Sequence, residues 1–89
     1  MDLLLVRQAM QAQPPQMIGF QYRKKDGTVE MYTVEPYEID EGQNIFWGFK
    51  INDPKPGTRR FYMHNMFAEQ LLAQVFSPRW TLYPFGKGG

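Results

Sequence analysis

Arg59-Arg60-Phe61-Tyr62-Met63-His64 places two guanidinium groups, a phenol and the only histidine of the chain on consecutive residues. Guanidinium pairs phosphate oxygens bidentately, and a flat ring beside it offers a stacking face for a nucleobase. Two lysines bracket the same region, Lys50 before the "NDPKPGT" loop and Lys55 within it. In an extended strand, neighbouring side chains point to opposite faces. With Phe61 and Met63 turned inward, Arg59 shares their side, and Arg60, Tyr62 and His64 form an outward stripe. The stripe has two readings: a binding surface for a phosphate-bearing ligand, or the polar outer strand that any small barrel needs.

Catalysis finds little support. A single histidine provides no metal-binding pair, and the absence of cysteine excludes a thiolate nucleophile, a cysteine-based zinc site and disulfides. Asp26, Glu30, Glu35, Glu38, Asp40 and Glu41 are scattered over turns and strand faces that proteins routinely charge. Glu38, Asp40 and Glu41 form either a weak cation site or a solvated turn. Ser77 precedes Pro78 as an ordinary chain break, and "GKGG" lacks the spacing of a phosphate-binding loop. The expectation is a non-catalytic protein with no cofactor and no metal.

The chain has 89 residues, enough for one domain, assigned to residues 1–85 with a flexible tail at 86–89. Seven Phe, five Tyr and two Trp within a 43% hydrophobic composition supply a core without disulfide staples. A net charge of +1 is not the footprint of a strong duplex-DNA binder, so a nucleic-acid role requires a local basic patch. "LLLV" at residues 3–6 is too short for a signal-peptide core or a membrane span. The expected location is cytoplasmic, with no membrane partner.

The elements that must hold these groups follow from pattern. Residues 2–13 read as a helix, capped by Asp2 and stopped by Pro14-Pro15, with Leu3, Val6 and Met10 along its apolar arc and Leu4 on the polar side. Strands are expected at 17–24 and 28–40, joined at Asp26-Gly27, with either a bend or a sheet edge at Glu35-Pro36. Further strands are expected at 44–51 and 59–64, then a short helix or helical turn over 65–74 and a last strand over 75–85, interrupted at Ser77-Pro78. In 44–51, alternation sets Ile45, Trp47 and Phe49 on one face, assigned to the core, with Phe46, Gly48 and Lys50 on the other. The fold class is mainly β: a small five-stranded SH3-like or Sm-like barrel with an N-terminal helix and a short helical turn before the last strand.

In order and spacing these pieces resemble the WYL domain, the Sm-like barrel of bacterial transcriptional regulators. The likeness rests on Tyr22, Gly27, Pro36-Tyr37, Gly48-Phe49, Arg59 with Phe61, and Phe76-Ser77-Pro78. The family's name-giving tripeptide falls on Asn44, Ile45 and Phe46, or in a shifted frame takes in Phe46-Trp47, and its later arginines fall where this chain has Tyr62, His64 and Asn65. Arg59 alone carries over from the binding motif. The resemblance implies a regulatory, ligand-sensing module for a nucleotide or single-stranded nucleic acid. No helix-turn-helix precedes the barrel, so the module is expected to be isolated or free-standing. The candidate ligand-binding residues are Arg59, Arg60, Tyr62, His64 and Lys50. The rival reading is a protein–protein adaptor, forming a homodimer or holding a regulator through the N-terminal helix or the C-terminal strand.

Overall fold

The computed structural model describes residues 1–52 and 54–79. It contains a helix α1 (Leu3–Gln11) and five antiparallel strands: β1 (Gln16–Arg23), β2 (Val29–Asp40), β3 (Ile45–Lys50), β4 (Gly57–Tyr62) and β5 (Met66–Val75). A single 3-10 turn, Met63–Asn65, separates the last two strands. The strands form one sheet in the order β4-β3-β2-β1-β5. This is the expected meander with an opening helix and a helical turn before the final strand. The sheet is not closed by a ladder between β4 and β5, which are its two edges.

Local chemistry explains most element boundaries. Asp2 accepts a hydrogen bond from the Leu5 amide at 3.1 Å, satisfying an otherwise unpaired donor of the first helical turn. At the β1–β2 turn, Gly27 takes a φ of 90° that a side chain disfavours. The Asp26 carboxylate accepts from the Thr28 amide and hydroxyl at 2.9 and 2.6 Å. Pro36 lies in the central strand, where a missing N–H would break the ladder, and the β2–β3 register shifts there. The expected bend is thus a bulge inside the sheet.

Val6 and Ala9 of α1 pack with Ile18, Phe20, Val34, Phe46, Phe61 and Met66 in one core. Fully burying such a side chain stabilises the fold by roughly 1.5–3 kcal/mol. Phe61 packs on the rings of Phe20, Tyr22, Tyr32 and Phe46, and meets Phe20 edge-on with ring centres 5.0 Å apart.

Three expectations are corrected. First, residues 66–75 are strand, and only Met63–Asn65 is helical. The segment "MFAEQLLAQV" has good helix formers, but pairing along β1 overrides that preference. The ladder absorbs the mismatch in two irregularities, with Ala68 at a φ of 55° in one of them. Second, β4 ends at Tyr62, so His64 lies on the 3-10 turn and does not continue the strand stripe. Third, Ile45 is buried as expected, but the rest of β3 turns the other way. Phe46 is fully buried in the core, and Trp47 is half-buried on the other side. Gly48 shows why: a Cβ there would sit 2.2 Å from Val34 Cγ1 and 3.0 Å from the Glu35 carbonyl. That close approach to β2 fixes Phe46 and Gly48 on the concave side. The expected last strand at 75–85 contributes Val75 to β5. Phe76–Arg79 is not strand, and the rest, with the tail, lies outside the described residues.

Phe76 to Arg79 strap the opposite face of the sheet. The Phe76 amide donates to the Pro15 carbonyl at 3.0 Å, and its ring packs on Tyr37. Arg79 Nε and Nη2 donate to the two oxygens of Glu35 at 2.9 and 3.0 Å, with the guanidinium carbon 3.8 Å from the Phe49 ring centre. Glu35 is only 3% exposed, so the carboxylate read as surface charge is in fact a buried anchor. Tyr37 donates to it at 2.8 Å. Burial, with that bond to Glu35, pushes the Tyr37 phenol up to about 12 despite the opposing bond from the Arg79 amide.

Candidate functional site

The curl of the sheet brings the exposed edge of β4 to the end of β1. There the Tyr62 amide donates to the Tyr22 hydroxyl at 3.0 Å. Beside this seam lies a cavity of about 680 Å³. Its aromatic lining is Tyr22, Tyr32, Phe61 and Tyr62, with His64 and Asn65 from the 3-10 turn. Its basic lining comes from two places: Arg59 and Arg60 on β4, and Lys24 and Lys25 at the tip of the β1–β2 hairpin.

A second cavity of about 440 Å³ shares Lys24, Tyr32 and Arg59 with the first and adds Lys50 and Lys55. The two form one trough with Arg59 between them. Six of the chain's ten lysines and arginines line it: Lys24, Lys25, Lys50, Lys55, Arg59 and Arg60. Among the described residues Glu30 is the acidic member of that lining, and it is held by Lys24. That pairing keeps the Glu30 carboxyl below its usual range. A chain of net charge +1 thus concentrates its positive groups in one concavity, where low-dielectric walls strengthen the field on an anion.

Arg59 donates from Nη1 to the Thr58 carbonyl at 2.9 Å and from Nη2 to the Lys55 carbonyl at 2.6 Å. Among the described residues no carboxylate pairs with it. Two carbonyl bonds hold the guanidinium in place without neutralising it, and leave donors for an anion. Gly57 makes this fold-back feasible, since a Cβ there would come within 2.9 Å of Nη1.

The other expected residues divide. Tyr62 is 45% exposed on the rim, its ring 5.8 Å from that of His64. The Asn44 side-chain nitrogen bonds His64 Nδ1. Lys50 lies in the second chamber, Nζ 5.2 Å from the centre of the Tyr32 ring. Arg60 borders the first chamber, but its guanidinium carbon lies 6.0 Å from the Trp47 ring centre, opposite in the ladder. The outward stripe therefore splits, with Tyr62 and His64 on the trough and Arg60 turned toward Trp47.

Sequence reading missed Lys24, Lys25, Tyr22 and Tyr32 as part of this site. The only local signal was a basic pair preceding Asp26-Gly27, and nothing in the spacing joins that hairpin to β4. Burial and the hydrogen bond to Glu30 raise the Tyr32 phenol to about 12, keeping it a hydrogen-bond donor at neutral pH. No cluster of His, Asp or Glu fit to hold a metal occurs among the described residues. No helix among them is long and apolar enough to cross a membrane.

Comparison with protein-family models, curated proteins and solved structures finds no match for this chain.

Proposed function

We propose that this protein is a non-catalytic binding module whose basic, aromatic-lined trough takes a phosphate-bearing ligand, either a nucleotide or a short single strand of nucleic acid. The observation that carries the reading is the guanidinium of Arg59, which no carboxylate among the described residues pairs, in a concavity lined by six cationic side chains and four aromatic rings. Cations pair the phosphates, and an exposed ring such as Tyr62 stacks a base, the combination that single-strand binders use. The WYL-like order of residues, with its regulatory, ligand-sensing role, agrees with this reading.

The test is a fluorescence titration with labelled short single strands and with nucleotides, at low and high salt. Binding should weaken as salt rises, because phosphate contacts release counterions, and Arg59→Ala should weaken it further at every salt concentration. Absence of binding to both ligand types at low salt refutes the proposal.

One feature favours the adaptor reading. Leu4 of α1 is 79% exposed beside a shallow hollow formed with Arg7, Gln8 and Gln11. A concentration-dependent dimer in light scattering, abolished by Leu4→Lys and accompanied by no ligand binding, would decide for it.

A further inference from the structure

The two chambers of the trough differ in chemistry, and the difference specifies the ligand more narrowly. The larger chamber is rich in rings, with Tyr62 exposed on its rim. Among the described residues the smaller has four cations, Lys24, Lys50, Lys55 and Arg59, against the one carboxylate of Glu30. Its one ring, Tyr32, already has the Lys50 ammonium over its face, so no base can stack on that side. Both volumes fall in the range of about 300–1,000 Å³ found for small-molecule sites. A mononucleotide with its base in the ring chamber and its one phosphate at Arg59 would leave Lys50 and Lys55 without an anion.

Resting on the nucleotide-binding reading above, we infer that the preferred ligand carries one base followed by a chain of two or more phosphates. The base lies in the chamber of Tyr62 and His64, the first phosphate at Arg59, and the remaining phosphates run into the chamber of Lys50 and Lys55. This chemistry is common to a free nucleoside di- or triphosphate and to the 5′-triphosphorylated end of a nucleic-acid strand.

The experiment is a metal-free calorimetric titration at constant ionic strength with adenosine mono-, di- and triphosphate, with inorganic tripolyphosphate, and with a tetranucleotide bearing either a 5′-hydroxyl or a 5′-triphosphate. Affinity should rise about tenfold with each added phosphate, the gain of one charge-assisted contact at an open site. Tripolyphosphate should bind at least tenfold more weakly than the triphosphate nucleotide, because it leaves the ring chamber empty. The double variant Lys50→Gln/Lys55→Gln should collapse the triphosphate-to-monophosphate affinity ratio. Lys55 is exposed and Lys50 half-buried, and retention of the wild-type circular dichroism spectrum confirms that the variant folds.

If the 5′-triphosphate strand binds more tightly than the free nucleotide, the strand end is the source of the ligand; the reverse order assigns the free nucleotide. Equal affinity for mono-, di- and triphosphate overturns the inference while leaving nucleotide binding intact, as does tripolyphosphate binding as tightly as the nucleotide. No binding by any probe overturns both.

Discussion

The Tyr22 hydroxyl accepts the backbone amide of Tyr62 at 3.0 Å, although the two residues are 40 positions apart. This side-chain bond spans the seam of the curled sheet. Tyr22→Phe removes the acceptor but keeps the ring, which packs on Phe61 at 5.1 Å between centres. The variant should lose about 1 kcal/mol of stability in chemical denaturation. The Tyr62 amide should exchange with deuterium faster than in the wild type, and an unchanged exchange rate would show that the bond does not hold the seam.

Arg59 and Arg60 are adjacent yet should behave differently. Arg59→Ala removes the guanidinium between the two chambers and should cost at least about tenfold in affinity for a phosphate ligand. It should also flatten the salt dependence for a single strand by about 0.7 in log–log slope per lost contact. Arg60→Ala should have a smaller effect, because its guanidinium lies toward Trp47. Equal losses in a parallel titration would contradict this division.

Gly48→Ala should destabilise the fold by about 1–3 kcal/mol, the range for overpacking a tight interior. The added methyl meets Val34 Cγ1 at 2.2 Å and the Glu35 carbonyl at 3.0 Å, and the backbone oxygen cannot rotate away. Urea denaturation measures the loss, and a second variant, Gly48→Ala/Val34→Ala, should recover part of it by making room.

Arg79→Ala strips the bidentate partner from a carboxylate that is 3% exposed, leaving Tyr37 as a remaining donor. A loss of about 1–3 kcal/mol is expected, discounted from the deep-interior range because Arg79 is itself partly solvated. Glu35→Gln in the Arg79→Ala background should restore some stability by removing the stranded charge. Failure of the second change to help would mean that solvent reaches Glu35 once Arg79 is gone.

Alkaline pH should act through Tyr32 and Tyr37. The phenols are raised to about 12, each chiefly by burial and further by a carboxylate partner, Glu30 and Glu35 respectively. In the unfolded chain a tyrosine titrates near pH 10. Each phenol therefore adds stability that is full below about pH 10 and lost as pH rises toward about 12. Tyr32→Phe and Tyr37→Phe should each make stability less steeply dependent on pH in that window, as followed by thermal unfolding at a series of pH values.

The sequence by itself determined what short-range chemistry controls. Asp2 and the two prolines bound the helix, Asp26-Gly27 makes the hairpin, and Pro36 interrupts the central strand. Each depends on a few neighbouring residues, and together they set the opening helix and the first hairpin, whereas the fifth strand was expected at 75–85 and lies at Met66–Val75. Arg59, Tyr62, His64 and Lys50 were visible as candidates because residue type alone marks them. Tertiary structure decided the rest. Residues 66–75 become strand because β1 offers an unpaired edge, a partner about fifty positions earlier in the chain. The inward face of β3 depends on how closely Gly48 must approach β2, which alternation cannot reveal. Lys24 and Lys25 join Arg59 only because the sheet curls, and curl arises from the twist and bulges of the whole ladder rather than from any local motif.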